Sequence, residues 1–370
     1  MQTASENLTS VQKTNGLFNQ LNDYEHEQLV FCHDKATGLK SIIAIHNTTL
    51  GPALGGTRFY DYKNEADAIT DVLRLSRGMT YKNAISGINL GGGKAVIIGD
   101  PAKLSNEFLW RRYGQFIDSL NGKYYTAEDV GTSIQDMEYV SQETEFVAGL
   151  PDFLGGGGDP SPVTAYGVYL GIKAGAKKKF GSDDLSKRKI LVEGVGNVGT
   201  HLLNYLSKEN AQIYICDVNT AKLKAAAEKY GAEVVALENA LDLDIDIYAP
   251  CALGASINDE SISRLKCGVI AGAANNQLKN EQVHAQMLVD KDILYAPDFL
   301  INAGGVINCY AEVNIKPYNR DYAYRLTESI YDKAMSIFEQ AEKLKITTHE
   351  AAFLLAKKRI QSVAQLRAVR

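Results

Sequence analysis

Lys189-Ile-Leu-Val-Glu-Gly-Val-Gly-Asn-Val-Gly199 is the stretch on which the fold turns. Its first five residues have the apolar centre of a buried strand, and Gly194-Val-Gly-Asn-Val-Gly199 leads straight into an apolar helix predicted over 198–207. In that strand, turn and helix context each glycine has its own task. Gly194 makes the tight turn, Gly196 lets backbone N–H groups approach a pyrophosphate, and Gly199 allows close helix packing. The anion then sits at the helix N-terminus, beside Asn197 and Val198. Asp217, about twenty residues on, ends the next predicted strand, over 212–217. A carboxylate there binds ribose hydroxyls and repels a 2′-phosphate, so NAD is expected in preference to NADP. A glycine-rich turn in an unrelated α/β domain would lack this conjunction of strand, helix and acid.

Strand and helix alternate on both sides of this turn. Helices are predicted over 163–178 and 220–230, and strands over 233–236, 245–249, 268–271 and 293–296. Repeated βα units mean a mostly parallel, doubly wound sheet. Earlier in the chain, period-2 patterning predicts two strands, 27–33 and 40–46, forming an antiparallel hairpin. A helix over 65–78 is expected to end on Gly78, and the run from Gly87 to Gly93 reads as a flexible joint before a strand at 95–98. Gly155-Gly-Gly-Gly-Asp-Pro-Ser-Pro162 is the predicted hinge. The fold class is therefore α/β in two domains: an N-terminal α/β domain over 1–150 and a Rossmann-type dinucleotide-binding domain over 151–345. The helical tail, about 346–370, is expected to pack back on the first.

At 370 residues the chain can bury two cores, and 22% charged residues with a net charge of -5 favour neither nucleic acid nor an acidic membrane surface. The five cysteines are scattered without a CxxC pair, which fits a reducing compartment. No apolar run has signal-peptide or transmembrane character, so a cytoplasmic location is expected. The six histidines lack metal spacing, and no metal is expected. No GxSxG elbow supports a hydrolase.

Between Gly78 and Gly99 the only charged residues are Lys82 and Lys94, in apolar, glycine-rich surroundings. Their ammonium groups must snorkel to water or meet an anion in a cleft, and the residues alone leave both readings open.

Five segments occur in order: Gly51-Pro-Ala-Leu-Gly-Gly-Thr-Arg58, Gly78-Met-Thr-Tyr-Lys-Asn-Ala84, Gly91-Gly-Gly-Lys94, Thr126-Ala-Glu-Asp-Val-Gly131 and Asn302-Ala-Gly-Gly-Val306. With the Rossmann fingerprint, they make the chain resemble the Glu/Leu/Phe/Val dehydrogenase family, and its leucine-acting members most. The resemblance covers all but roughly the first twenty residues. It implies NAD-dependent oxidative deamination of a branched-chain aliphatic L-amino acid, leucine with valine and isoleucine, to the 2-oxo acid, ammonium and NADH. It further implies that the N-terminal domain binds substrate and carries a homo-oligomer, often an octamer.

By the same resemblance Lys82 binds the substrate α-carboxylate, Lys94 is catalytic, and Asp129 exchanges protons with substrate and water. The chemistry asks for such groups independently, since hydride loss, water attack and ammonia departure each move a proton, and a buried lysine beside a carboxylate can act as acid and base in turn. Gly55 and Gly56 are implied to approach substrate, Thr164 to lie at the nicotinamide, and Asn275 or Asn276 and Asn302 to stand at the cofactor end. The side-chain pocket is implied around Leu54, Ala127, Val306 and Cys309. In glutamate-acting members a lysine replaces Leu54 and a hydroxyl residue replaces Cys309, so glutamate should be rejected. Cys309 departs from the aliphatic residue of leucine-acting members but is itself a small hydrophobe. The alternatives are a valine or phenylalanine enzyme of this family and an NAD-binding sensor without turnover, which NADH formation on adding amino acids would separate.

Overall fold

A computed structural model describes residues 16–368. Two six-stranded sheets organise them. The first contains β1 (Gln28–Asp34), β2 (Leu39–Asn47), β3 (Ala53–Leu54), β4 (Thr57–Tyr60), β5 (Gly91–Ile98) and β6 (Tyr124–Tyr125). Their order is β1-β2-β5-β3-β6, with β4 also beside β5. β1, β2 and β5 are antiparallel neighbours, whereas β3 and β4 run parallel to β5. Alternation sends Ile43, Ile45, Ala95 and Ile97 to a core with Trp110 and Tyr113 of the Glu107–Asp118 helix. Ile42, Ala44 and Val96 face the opposite way, against Ala68, Val72 and Leu73 of the Glu65–Ser86 helix.

The second sheet contains β7 (Lys189–Glu193), β8 (Gln212–Cys216), β9 (Glu233–Val234), β10 (Ile247–Pro250), β11 (Val269–Ile270) and β12 (Leu294–Tyr295). All its pairings are parallel, in the order β12-β11-β10-β7-β8-β9. The strands are apolar on both faces because both are covered. Ile190, Val192, Ile247 and Val269 pack with Ala165, Val168 and Ile172 of the Ser161–Phe180 helix, while Leu191, Tyr248 and Ile270 pack with Ile262, Ala285 and Leu288. The chain leaves β7 in one direction through β8 and β9 and then returns to β7's other side as β10. The order therefore reverses between β7 and β10, and the crevice beyond their carboxyl ends is where such sheets bind ligands.

Two expectations for the N-terminal region are corrected. The helix beginning at Glu65 does not stop at Gly78 but continues to Ser86 and ends on Gly87, whose φ of 81° is left-handed. Gly78 has open space around it, the buried positions continue through Tyr81, Ala84 and Ile85, and Arg359 donates to the final carbonyls of Ala84, Gly87 and Ile88. Nor is the glycine run a flexible joint. Gly91, Gly92 and Gly93 are buried residues of β5, which starts four residues before the predicted strand. A Cβ on Gly92 would overlap the Thr80 backbone nitrogen and hydroxyl, so glycine here permits direct contact between helix and strand.

Beyond the second sheet, the Arg320–Leu344 helix packs on Ser161–Phe180, and the Thr348–Ala368 helix packs on Glu65–Ser86 through contacts that include Tyr81 with Phe353. Glu312 ties the segment between the sheets to the Gly304–Asn314 helix: its carboxylate accepts from the backbone N–H groups of Gly149 (2.9 Å), Leu150 (3.2 Å) and Gly157 (3.0 Å).

Candidate active site

The direct contact between the Glu65–Ser86 helix and β5 sets Lys82, on the helix's last turns, near Lys94, on the strand. Lys94 is only 5% exposed. Its Nζ is 3.1 Å from Asp129 Oδ1, and Asp129 Oδ2 accepts from Arg58 Nε at 3.0 Å. A hydroxyl turn fixes the acid's backbone: the Asp129 N–H donates to Thr132 Oγ1, which donates back to the Asp129 carbonyl, both at 2.8 Å. Burial pushes Lys94 below the ordinary lysine range, with Asp129 opposing and the Arg58 charge adding to the fall. Burial works in the other direction on Asp129, but Lys94 and Arg58 outweigh it and hold the carboxyl below its ordinary value. The result is a buried ammonium poised to lose a proton beside a carboxylate that stays ionised.

Lys82 is half-buried and donates to Asn302 Oδ1 at 2.8 Å. Asn302 follows the Asp298–Ile301 turn of helix and directs its own Nδ2 to Asn275 Oδ1 (2.8 Å) and the Ala273 carbonyl (3.1 Å). Thus the region beyond the carboxyl ends of the second sheet meets Lys82 on the helix that packs on the first. Burial lowers Lys82 to about 8, with buried Asp298 opposing and Lys94 adding to the shift.

Leu54, Val306 and Cys309 share one apolar cluster; Ala127 is buried but is not a member of it. Burial raises the Cys309 thiol, and Glu312 and Glu128 add to this. Gly55 and Gly56 have a packing reason of their own: a Cβ would strike the Gly93 carbonyl at the first and the Glu128 carbonyl at the second.

At the nucleotide end, Gly194 has a φ of 99°, and its N–H donates to the Cys216 carbonyl at 2.8 Å. The Asn197–Leu206 helix has no side-chain cap, and a Cβ on Gly196 would meet nothing within 4 Å, leaving the first N–H groups open to an anion. Gly199 lies against the Gly194 carbonyl. Asp217, one residue beyond β8, accepts from the Val195 N–H (2.7 Å) and the Asn219 N–H (2.8 Å), which fixes the carboxylate at the strand end. These residues fit a dinucleotide. Thr164, on the first turn of Ser161–Phe180, donates to the Pro160 carbonyl at 2.9 Å and faces Gly305.

Sequence reasoning did not assign Arg58, Asp71 or Asp298 to the site. Arg58 lies within a quoted motif as a lone cation between Thr57 and Phe59, and that was the available signal. Asp71 and Asp298 look like ordinary helix acids until the fold brings their partners to them.

Two family models match the chain: Glu/Leu/Phe/Val dehydrogenase, dimerisation domain, over residues 26–146, and Glutamate/Leucine/Phenylalanine/Valine dehydrogenase over 216–368. A leucine dehydrogenase of Thermoactinomyces intermedius is 52% identical, over 95% of each chain. A phenylalanine dehydrogenase of Caldalkalibacillus thermarum is 47% identical, over 92% of this chain and 93% of its own. The crystal structure of L-tryptophan dehydrogenase from Nostoc punctiforme superposes with a TM-score of 0.85 at 45% identity, covering 94% of this chain and 99% of that one.

Proposed function

The chain belongs to the Glu/Leu/Phe/Val dehydrogenase family and is an amino-acid dehydrogenase using a nicotinamide cofactor, and from that premise we propose that its substrate is a branched-chain aliphatic L-amino acid, with leucine preferred, and its cofactor NAD. The observation that carries this reading is the pairing of Lys94 with Asp129 and of Lys82 with Asn302 where the two halves of the chain meet, with the apolar Leu54, Val306 and Cys309 in the same core as Tyr81 and Ala84, which flank Lys82.

In this mechanism protonated Lys82 holds the substrate α-carboxylate, exchanging part of its contact with Asn302 for the ligand. Lys94 and Asp129 together take the proton that frees the amine lone pair. The bound nicotinamide supplies the hydride acceptor. Having released that first proton to solvent, the Lys94–Asp129 pair removes a proton from the water that attacks the iminium carbon and passes it to the carbinolamine nitrogen; as the C–N bond breaks, the hydroxyl proton is transferred through the pair to the departing ammonia, leaving 2-oxo acid and ammonium. Gly194, Gly196, Asn197, Val198 and Gly199 hold the pyrophosphate, Asp217 the adenosine ribose, and Thr164, Asn275 and Asn302 border the nicotinamide. Leu54, Ala127, Val306 and Cys309 enclose the side chain, with Gly55 and Gly56 as backbone walls. The N-terminal unit, 1–150, bears the substrate and the contacts of a homo-oligomer, an octamer in this reading, and 151–345 bears the cofactor.

Steady-state kinetics with L-leucine test the roles. Lys82→Ala is expected chiefly to raise KM, and Lys94→Ala and Asp129→Asn to lower kcat by roughly two to four orders of magnitude. Near-normal turnover by both of the latter at saturating substrate would refute the assignment.

A further inference from the structure

The Lys94–Asp129 pair is one end of a longer chain of charge. Arg58, on β4, reaches two carboxylates: Nε meets Asp129 Oδ2 at 3.0 Å, and Nη1 meets Asp71 Oδ2 at 2.9 Å. The Tyr62 hydroxyl donates to that same Asp71 oxygen at 2.7 Å. Asp71 lies on the Glu65–Ser86 helix eleven residues before Lys82, about three turns, so both project from nearly the same stripe. Charges therefore alternate in the order Lys94, Asp129, Arg58, Asp71.

Two features make Arg58 more than a surface partner. Register pairs Arg58 with Val96 on β5, and Lys94 lies two residues before Val96, so Arg58 and Lys94 share a face of the sheet. Arg58 lines a recess of about 360 Å³ together with Tyr60, Tyr62, Asp71 and Val130. A long cationic side chain beside such a recess would ordinarily extend into water. Asp71, itself fixed by Tyr62, keeps it turned toward Asp129.

We propose that Arg58 is a positioning residue for the proton-transfer pair: anchored by Asp71 and Tyr62, it clamps Asp129 Oδ2 so that Oδ1 alone faces Lys94, and supplies a permanent positive charge while the Lys94 proton comes and goes. This rests on the assignment of proton transfer to Lys94 and Asp129. Guanidinium does not lose its proton in proteins, so Asp129 keeps one cation even when Lys94 is neutral. The same charge depresses both groups, in keeping with their directions of shift.

The test is the pH profile of kcat for oxidative deamination of L-leucine by the full-length enzyme. The base forms are needed for this direction, and losing the Arg58 charge raises the proton affinity of both Lys94 and Asp129. R58M should therefore move the acid limb to higher pH by about one unit, with activity recovering at high pH. R58K keeps the charge but a single ammonium cannot span both carboxylates as the planar fork does, so it should leave the limb in place and lower kcat about tenfold. A uniform fall in kcat for R58M with an unmoved limb would mean a merely structural role and overturn the proposal. If R58M does not fold, the equally neutral R58Q takes its place: an acid limb moved to higher pH supports the proposal and an unmoved limb overturns it. K94A separates the two readings, because an active K94A defeats the Lys94 assignment itself, whereas an inactive K94A beside an unaltered R58M defeats only the role of Arg58.

Discussion

Burial lowers the Lys82 ammonium from 10.5 to about 8, which links both folding and substrate binding to pH. Below about 8 the folded protein carries a charged, desolvated lysine, and the cost is relieved as pH rises from about 8 toward 10.5, where the unfolded chain still holds the proton. Substrate binding has the opposite sign, because a carboxylate needs the protonated form. KM for leucine is expected to rise as pH passes about 8 in the free enzyme, and KM measured on either side of that value checks it; a flat KM would remove Lys82 from carboxylate binding. Asp217 makes a separate claim. Its carboxylate, held at the end of β8 by two backbone N–H groups, should repel the extra phosphate of NADP. NAD should be preferred clearly at moderate ionic strength, and Asp217→Ser should narrow the gap. Equal efficiency of the wild type with both cofactors would contradict this reading.

At the scale of elements, the Glu65–Ser86 helix and β5 decide where the two lysines stand. Gly92 is the tightest point of that contact, and Ala there would push against Thr80 backbone, which cannot swing aside as a flexible side-chain end can. Gly92→Ala is expected to cost about 1 to 3 kcal/mol of stability and to lower turnover by displacing Lys82 from Lys94, measurable as a depressed melting temperature together with a reduced kcat. A fully stable, fully active variant would show that the contact is not limiting. These elements were also the hardest to read from sequence. A glycine near the end of an apolar stripe ordinarily stops a helix, and what carries this one past Gly78 is tertiary: the continued burial of Tyr81, Ala84 and Ile85 and the capping by Arg359, 271 residues beyond Ile88. Likewise three successive glycines have poor strand propensity, and they are accommodated in β5 because the space a Cβ would fill is taken by the Asn47 and Gly51 carbonyls at Gly91, by Thr80 of the helix at Gly92 and by the Tyr124 ring at Gly93. By contrast β7 (Lys189–Glu193) and the Thr220–Tyr230 helix stand at their predicted boundaries, since local pattern and tertiary context agree there.

For the whole molecule, the hydrogen bond from Lys82 to Asn302 joins the Glu65–Ser86 helix, which packs on the first sheet, to the crevice of the second, so the candidate site exists only when both are in place. Lys82 and Lys94 stand out in the sequence as the two cations of an apolar, glycine-rich segment, but their roles, and Asp129 altogether, are legible only through the family resemblance. Arg58, Asp71 and Asp298 are not legible in the sequence, because their meaning depends on partners distant in the chain. Substrate choice also belongs to this scale, since the proposed pocket would draw Leu54 and Ala127 from the N-terminal region and Val306 and Cys309 from the C-terminal one. None of these four residues is cationic, so a γ-carboxylate enclosed by them would be buried at a cost of several kcal/mol. One methylene separates leucine from valine, worth roughly 1 to 3 kcal/mol. The most direct test is therefore kcat/KM with NAD for leucine, valine, isoleucine, phenylalanine and glutamate under identical conditions. The branched-chain substrates should fall within about two orders of magnitude of one another, with leucine first and glutamate roughly three orders or more below it. A glutamate efficiency equal to that of leucine would contradict the proposed function.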